Sequence, residues 1–276
     1  MEITIPDKLA ALAHPRRLDV FRLLMRRYPD AVPAGEITDA LDIKPSTASV
    51  YLSALKAADL ITQSREGTSL RYAADLDSLR GLFGTLLQDC CQNRPDLCLP
   101  QGGLSEEKTM SDRPMNVLFI CTGNSARSIM AEAILRTEGG ARFNAYSAGT
   151  HPSSAPHPFV VELLDHKGHD VSQLASKSTE LYREPGTPEF DFVFTVCDRA
   201  ANEECPAWPG QPISAHWGQP DPVKATGTEA QKKLAFQQAY GVLKNRISAF
   251  VNLPWETLDR ISLQHRLDDI GRTGAK

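Results

Sequence analysis

The chain has 276 residues, of which 41% are hydrophobic, and a formal net charge of −4 at pH 7. This length suits two domains better than one core, and the net charge excludes a globally basic nucleic-acid-binding chain. No apolar run reaches the ~20 residues that span a membrane, and the first residues lack the pattern of a secretory signal. We therefore expect a cytoplasmic protein without membrane contact, whose six cysteines serve metal or redox chemistry rather than structural disulfides.

The first hundred residues predict a small, mainly helical domain that includes a β-hairpin. Apolar residues recur at helical spacing over residues 8–13, 15–27, 34–41, 45–60 and 75–92. Before the last of these helices, residues 60–64 and 69–73 are predicted strands joined around Arg65-Glu66-Gly67. Helices with a basic-tipped hairpin are typical of a winged helix-turn-helix, in which one helix enters the major groove and the hairpin contacts phosphate.

DNA contacts in this domain must come from a local surface, because the domain as a whole is not basic. Residues 1–100 hold twelve Lys and Arg against thirteen Asp and Glu, a net charge of −1. The leading face of the fourth helix and the arms of the hairpin supply the candidate DNA contacts: Ser46, Thr47, Ser49, Tyr51, Ser53, Arg65 and Arg71. The alternative is a domain that serves only as a protein-docking module.

Two segments make a family resemblance specific. Residues 11–18 (Ala-Leu-Ala-His-Pro-Arg-Arg-Leu) and 46–61 (Ser-Thr-Ala-Ser-Val-Tyr-Leu-Ser-Ala-Leu-Lys-Ala-Ala-Asp-Leu-Ile) resemble the ArsR/SmtB family of metal-responsive repressors. The resemblance implies a homodimer, formed through this domain, that binds a palindromic operator and leaves DNA when metal binds. The sequence departs from the family at Val50 and Tyr51, where histidines are common, and at Asp59, where glycine is common.

Three thiols near the end of this domain are candidate ligands for a soft ion. Cys90, Cys91 and Cys98 lie within nine residues and converge if the chain turns back at Pro95. Zinc would need a fourth ligand, whereas three thiolates fit trivalent arsenic or antimony. The arrangement resembles repressors with an adjacent cysteine pair and a third cysteine several residues on, so we expect arsenite as the effector. Surface thiols without a ligand are the alternative.

A new domain is predicted to begin after a linker. Residues 99–114 combine Gly, Pro and charge without periodicity, as flexible linkers do. Alternating elements follow, with strands at 116–121, 143–148, 190–197 and 211–216 and helices at 125–138, 157–167 and 229–253. This alternation predicts an α/β domain with a parallel four-stranded sheet flanked by helices, and ligands beyond the carboxyl ends of the strands. We place a winged-helix domain at 1–98, the α/β domain at 115–254 and a tail at 255–276.

One stretch of the second domain predicts an oxyanion site. Cys121 ends an apolar strand, and the loop that leads from it into a helix reads Thr122, Gly123, Asn124, Ser125, Ala126, Arg127 and Ser128. Backbone N–H groups at the positive end of a helix dipole bind anions, and Arg127 adds a planar grip on a tetrahedral oxyanion. The same field favours a thiolate, so we expect a lowered pKa for a nucleophilic Cys121. The alternative is a buried cysteine without a chemical role.

Two more segments complete the candidate chemistry. Cys197 ends a predicted strand at the same sheet edge as Cys121, and Cys205 lies eight residues further on. A transient catalytic disulfide between Cys197 and Cys205 suits the cytosol better than a structural one, with metal binding or inert thiols as alternatives. Asp221 lies between two prolines, where a fixed carboxylate can protonate a leaving oxygen; a simple turn is the alternative.

Together these segments resemble arsenate reductases of the low-molecular-weight phosphatase superfamily. On that resemblance, Cys121 attacks arsenate, Asp221 protonates the departing hydroxide, and Cys197 attacks Cys121 and releases arsenite. Cys205 then attacks Cys197, and thioredoxin or a similar dithiol reduces the resulting bond. The gap between Cys197 and Cys205 is one residue longer than in such relatives, which affects the geometry of the relay but not its logic.

The resemblance also bears on cofactors. No cofactor is expected to be tightly bound for catalysis, although some family members bind a potassium ion beside this loop. The residues that match their potassium ligands are Asn124, Glu132 and Ser147.

The second domain has two alternative functions, and a further hypothesis couples the two domains. A low-molecular-weight phosphotyrosine phosphatase shares the Cys–Arg loop and the Asp-Pro acid but needs no second or third cysteine. A regulator whose second domain senses anions without turnover is the other rival. If both domains act, the enzyme makes the ligand that its DNA-binding half detects, and a ~16-residue linker spans only on the order of 20 Å.

Overall fold

The computed structural model describes residues 4–90, 92, 113–184, 186–203, 208, 210–255 and 257–273. The chain divides into two compact units, Met1–Thr109 and Met110–Lys276, which are described separately. Cys91, Cys98 and Cys205, together with all but the last two residues of the predicted linker, lie outside the described residues.

The described part of unit 1 contains the predicted hairpin and helices, although the last helix, predicted over 75–92, ends at Thr85. Its helices are α1 (Ile5–Leu12), α2 (Pro15–Arg27), α3 (Ala34–Leu41), α4 (Pro45–Ala57) and α5 (Leu76–Thr85). Its strands are β1 (Val32–Pro33), β2 (Ile61–Glu66) and β3 (Ser69–Ala74), which form an antiparallel sheet in the order β1-β3-β2. A single π-helical turn, Leu86–Cys90, follows α5.

The boundary between α4 and β2 has a definite physical cause. The predicted helix runs to residue 60, but α4 ends at Ala57 because Asp59 adopts a left-handed conformation with φ 52°. The N–H groups of Asp59 and Leu60 bond back to the carbonyls of Lys56 and Leu55, each at 3.0 Å, which is the Schellman pattern of a helix end. Glycine adopts this conformation without strain, which explains its frequency at this position in the resembling repressors.

Unit 2 has the predicted parallel sheet. Its strands are β4 (Met115–Cys121), β5 (Phe143–Gly149), β6 (Phe192–Thr195) and β7 (Ile213–His216), all parallel in the order β5-β4-β6-β7. Its helices are α6 (Arg127–Glu138), α7 (Pro158–His166), α8 (Asp198–Asn202), α9 (Glu229–Val251) and α10 (Arg260–Arg272). The strand predicted at 190–197 is shorter than expected, because β6 ends at Thr195 and the short helix α8 begins at Asp198.

Aromatic side chains fill the core between the sheet and α9. The rings of Phe194 and Trp217 stack with their centroids 4.1 Å apart and their planes 10° apart, and Phe250 packs edge-on against both. Helix α10 lies in the predicted tail and buries Leu263 and Leu267, whereas Ile261 is exposed. Within the described residues, no helix is long and apolar enough to span a membrane.

Candidate active site

The loop between β4 and α6 is held open by hydrogen bonds on its outer side. Donors from the segment 150–157 and from Ser176 reach its carbonyls at 2.7–3.1 Å: Thr150 N–H to Cys121, His151 N–H to Thr122, Ser153 N–H to Gly123, Ser176 Oγ to Asn124, and His157 N–H to Ser125. In a trans peptide the N–H points away from the C=O, so the following N–H groups face the inner side. This arrangement of N–H groups is the one that the predicted oxyanion site requires.

Asn124 fixes the shape of this loop. It is fully buried and adopts a left-handed φ of 42°, which asparagine tolerates better than most residues. Its amide nitrogen donates to the hydroxyls of Ser128 and Ser147 at 2.9 and 2.8 Å, and its amide oxygen accepts from the Lys177 N–H at 2.6 Å. Gly149 supports the same turn, because a Cβ there would lie 2.6 Å from the Thr122 carbonyl oxygen.

Cys121 lies at the base of the loop. Its Sγ is 2.9 Å from the Ser128 hydroxyl and accepts the Asn124 N–H at 3.1 Å. Burial raises the pKa of the Cys121 thiol and the nearby Cys197 raises it further, while hydrogen bonds from Ser128 and the charge of Arg127 lower it. The predicted lowering of this pKa is therefore wrong. The prediction counted the loop dipoles and the arginine but not the desolvation of a sulfur that is 2% exposed, nor the second thiol beside it.

Arg127 and Asp221 meet at the mouth of the loop. Arg127 is the first residue of α6, and its Nη2 lies 3.0 Å from Asp221 Oδ2 while its Nη1 donates to the Gln219 carbonyl at 3.0 Å. The other Asp221 oxygen accepts the Val223 N–H at 3.2 Å. The carboxylate predicted as an acid and the arginine predicted to bind the oxyanion are thus direct neighbours.

Cys197 lies beside the loop, just beyond the end of the strand next to Cys121. It is 1% exposed, and its Sγ lies 3.5 Å from the Thr122 hydroxyl and accepts the Ala200 N–H of α8 at 3.4 Å. Strands β4 and β6 pair Ile120 with Thr195, so Cys121 ends one strand and Cys197 lies two residues beyond the end of its neighbour. The predicted third member of the relay, Cys205, falls outside the described residues.

An aspartate–histidine pair that the sequence analysis missed joins the Cys197 helix to the segment before Asp221. His216 Nε2 is 3.1 Å from Asp198 Oδ1, and its Nδ1 is 2.8 Å from the Thr195 hydroxyl. A Cβ at Gly218 would lie 2.4 Å from both the Asp198 and the His216 side chains, so a larger residue here would have to displace this pair. The signal was available, since Asp198 and His216 lie at the carboxyl ends of two adjacent predicted strands.

The residues matched to a potassium site lie together around a buried carboxylate. Glu132 is 2% exposed and accepts from the Ser147 hydroxyl and from Arg136. The Lys177 ammonium lies 3.1 Å from Glu132 Oε2, a contact that the sequence analysis did not anticipate. A cation from the chain itself thus lies beside the carboxylate that the resemblance assigned to potassium.

The candidate DNA contacts divide into two groups. Ser46, Ser49, Ser53 and Arg65 are exposed, and Val50 between them is 63% exposed.

The other three candidates have contacts within the unit. Thr47 is partly buried, and the Tyr51 ring packs on His14 with centroids 5.1 Å apart. Arg71 forms an ion pair with Glu66, with Nε 2.7 Å from Oε2. A phosphate contact by Arg71 would therefore compete with this pair.

The predicted arsenite site is only partly described. Cys90 is exposed at the end of the π-helical turn, whereas Cys91 and Cys98 lie outside the described residues. Within the described part of the chain, no group of three or more His, Cys, Asp or Glu residues could hold a metal ion.

Comparisons with known proteins match each unit to a family. Residues 116–261 match the low molecular weight phosphotyrosine protein phosphatase family, and residues 12–64 match a helix-turn-helix domain. An arsenate reductase of Bacillus licheniformis is 35% identical over 134 residues, which cover 49% of this chain and 93% of the relative. The arsenate reductase of Bacillus subtilis is 34% identical with the same coverage of both chains. A solved structure described as an arsenate reductase in the phosphate binding state is 25% identical, covers 50% of this chain and 96% of its own, and has a TM-score of 0.40. The chain therefore belongs to the low molecular weight phosphotyrosine protein phosphatase family, with an arsenate reductase domain joined to an amino-terminal helix-turn-helix domain.

Proposed function

We propose that this protein is a bifunctional arsenic-resistance protein, in which unit 2 reduces arsenate to arsenite and unit 1 is an arsenite-responsive transcriptional repressor. The observation that carries the enzymatic half is the placement of Cys121 at the base of an inward-facing N–H loop, with Cys197 just beyond the next strand end.

The first step is attack of the Cys121 sulfur on the arsenic of bound arsenate. Arg127 turns from Asp221 to the oxyanion, and the loop N–H groups hold the remaining oxygens. Burial raises the pKa of the Cys121 thiol, and we assign its proton to the dianionic arsenate as the sulfur attacks. Asp221 gives a proton to the departing oxygen, so an As–O bond breaks, an S–As bond forms, and water leaves. Arsenic remains pentavalent in this adduct.

The second step transfers two electrons from thiols to arsenic, and the third step frees Cys121 by thiol–disulfide exchange. The Cys197 sulfur attacks the Cys121 sulfur, and the electron pair of the S–As bond stays on arsenic, which leaves as arsenite. The resulting Cys121–Cys197 disulfide is attacked by the Cys205 thiolate, which frees Cys121 and forms the Cys197–Cys205 disulfide. Thioredoxin or a similar dithiol then reduces that bond. A reducing compartment is needed for this cycle, so we place the protein in the cytoplasm.

The rival phosphatase function differs in its need for thiols. Hydrolysis of a phosphate monoester requires Cys121, Arg127 and Asp221 but neither Cys197 nor Cys205. The reductase proposal is supported by the burial of Cys197 against the loop at Thr122. The test is NADPH oxidation by purified protein with arsenate, thioredoxin and thioredoxin reductase. We expect Cys197→Ser to abolish arsenate-dependent NADPH oxidation; retention of full activity in that variant would sink the reductase relay.

A sensor that binds oxyanions without turnover is the other rival. It predicts that arsenate binds but causes no NADPH oxidation in the parent protein. The same assay therefore decides between turnover and sensing.

The repressor half rests on the helix-turn-helix match and on the exposed polar face of α4. We propose that unit 1 dimerises through α1 and α5, which pack on each other and expose Leu9 and Phe83, 43% and 56% accessible. The dimer places two copies of α4 on a palindromic operator. Arsenite bound by Cys90, Cys91 and Cys98 releases the DNA.

The two halves are coupled if arsenite made in unit 2 is captured by unit 1. Operator release by arsenate plus reductant should then be lost in Cys121→Ser, while added arsenite should still release that variant. Equal release of the parent and of Cys121→Ser by arsenate would refute the coupling. Retention of the parent on its operator in excess arsenite would refute the repressor function itself.

A further inference from the structure

We infer that helix α10, with the buried Arg246 of α9, is a positioning element for the catalytic acid Asp221. This inference rests on the proposed role of Asp221 and goes beyond it, because α10 spans Arg260–Arg272 and the family match ends at residue 261.

Arg246 joins the carboxyl end of α10 to the segment before Asp221. Its side chain is fully buried, and its guanidinium donates to four backbone carbonyls. Two lie in the segment before Asp221 and two at the end of α10: Trp217 at 2.8 Å, Gly218 at 3.2 Å, Gly271 at 2.7 Å and Thr273 at 3.1 Å. A cation is favoured at the carboxyl end of a helix. Arg246 thus caps α10 and holds the backbone that leads to Asp221.

Helix α10 also touches that segment directly. The Trp217 indole N–H donates to the Leu267 carbonyl of α10 at 3.0 Å. Gly271 packs so closely that an added Cβ would lie 2.6 Å from the His216 carbonyl oxygen and 2.9 Å from Trp217 Cδ1. The contact leaves no room for a methyl group, so a side chain at residue 271 must displace one of the two surfaces.

A third contact fixes α10 against the sheet. The Gln264 side-chain amide donates to the Ser214 carbonyl at 2.9 Å, on the strand β7 that lies at the edge of the sheet. Strand β7 ends at His216, five residues before Asp221. Helix α10 therefore holds the strand and the segment after it, from which Asp221 reaches Arg127.

The test is Gly271→Ala in the full chain, with Gly241→Ala as its matched control. Both glycines lie in helices of unit 2, Gly241 within α9 and Gly271 in the last turn of α10, and alanine has the higher helix propensity at both positions. A Cβ at Gly241 meets nothing within 4 Å, so only Gly271→Ala disturbs the contact with the segment before Asp221. Trp217→Phe is a second variant that keeps an aromatic ring against Phe194 and removes the hydrogen bond to α10, together with part of a fully buried ring system.

The measurement is the rate of arsenite release in a single turnover, as a function of arsenate concentration. We expect Gly271→Ala to lower the rate at saturating arsenate about tenfold, because small misplacements of a catalytic group cost one to two orders of magnitude. The half-saturating arsenate concentration should stay within about twofold, since the backbone of the oxyanion loop is held by the segment 150–157 and by Ser176 rather than by α10. Gly241→Ala should match the parent.

A double-mutant cycle separates positioning from general stability. In an Asp221→Asn background, Gly271→Ala should cause no further loss, because the group that it misplaces has already been removed. An equal tenfold loss in that background, or an unchanged rate in the parent background, would overturn the inference. If Gly271→Ala does not fold, Trp217→Phe must show a smaller loss of the same non-additive kind, and additive loss overturns the inference. A parent without arsenite release refutes the proposed function instead.

Discussion

Replacement of Lys177 by methionine tests whether the chain's own ammonium serves where the resemblance implied a potassium ion. The Glu132 carboxylate is 2% exposed, and its positive neighbours are the Lys177 ammonium at 3.1 Å and the Arg136 guanidinium. Removing one partner of a buried ion pair costs about 3–5 kcal/mol. Because Arg136 remains, we expect the lower end of this range, a loss of about 3 kcal/mol in the unfolding free energy of unit 2.

Urea unfolding followed by tryptophan fluorescence measures this loss in one unit alone. The three tryptophans of the chain, at positions 208, 217 and 255, all belong to unit 2. Potassium chloride should restore part of the stability of Lys177→Met, because loss of the ammonium leaves the buried Glu132 carboxylate with one cationic neighbour fewer. Choline chloride at equal ionic strength should not. Lys232→Met, at an exposed position on α9, is the control and should change stability by less than about 0.5 kcal/mol. A loss that small in Lys177→Met, or equal stabilisation of parent and variant by potassium, would show that the Lys177 ammonium does not take the place of a potassium ion beside Glu132.

Three further predictions follow from individual groups. Because burial raises the pKa of Cys121, its alkylation by iodoacetamide should accelerate with pH up to and beyond 9, and rapid alkylation that is independent of pH between 6 and 8 would contradict this. Burial lowers the pKa of His169 from 6.5, so the unfolded chain takes up a proton at this residue at a higher pH than the folded chain does. The stability contributed by the neutral His169 is therefore complete above pH 6.5 and is lost as the pH falls below 6.5. The unfolding free energy of unit 2 should therefore depend less on pH between 7.5 and 5.5 in His169→Gln than in the parent, and an identical slope would count against the assignment. Asp59→Gly should stabilise unit 1 by about 0.5 kcal/mol in thermal unfolding because it relieves a left-handed aspartate, whereas Asp39→Gly, inside α3, should destabilise it.

The parts of the fold that follow from local pattern could be predicted from the sequence. Helix and strand order in both units, the parallel sheet and the loop after Cys121 depend on periodicity and on a short run of small residues before an arginine. The predicted helix ends were less accurate, because the end of α4 is set by the conformation of Asp59 rather than by apolar spacing.

The parts that depend on distant contacts could not be predicted. The Lys177–Glu132 pair joins residues 45 positions apart, and the sequence around each residue contains no pattern that identifies the other as its partner. Arg246 resembles any helical arginine until the carbonyls of Trp217 and Gly271 surround it. The direction of the Cys121 pKa shift depends on the balance between burial and local dipoles, and burial is a property of the folded core.

The most direct test of the account is the fate of the thiols in one turnover without reductant. Pre-reduced protein with Cys90, Cys91 and Cys98 replaced by serine is mixed with excess arsenate, quenched with an alkylating reagent and analysed by peptide mass spectrometry. We predict one arsenite released per chain and a disulfide between Cys197 and Cys205, with Cys121 recovered as the alkylated thiol. Arsenite release without that disulfide, or the same disulfide yield after Cys121→Ser, would contradict the proposed relay.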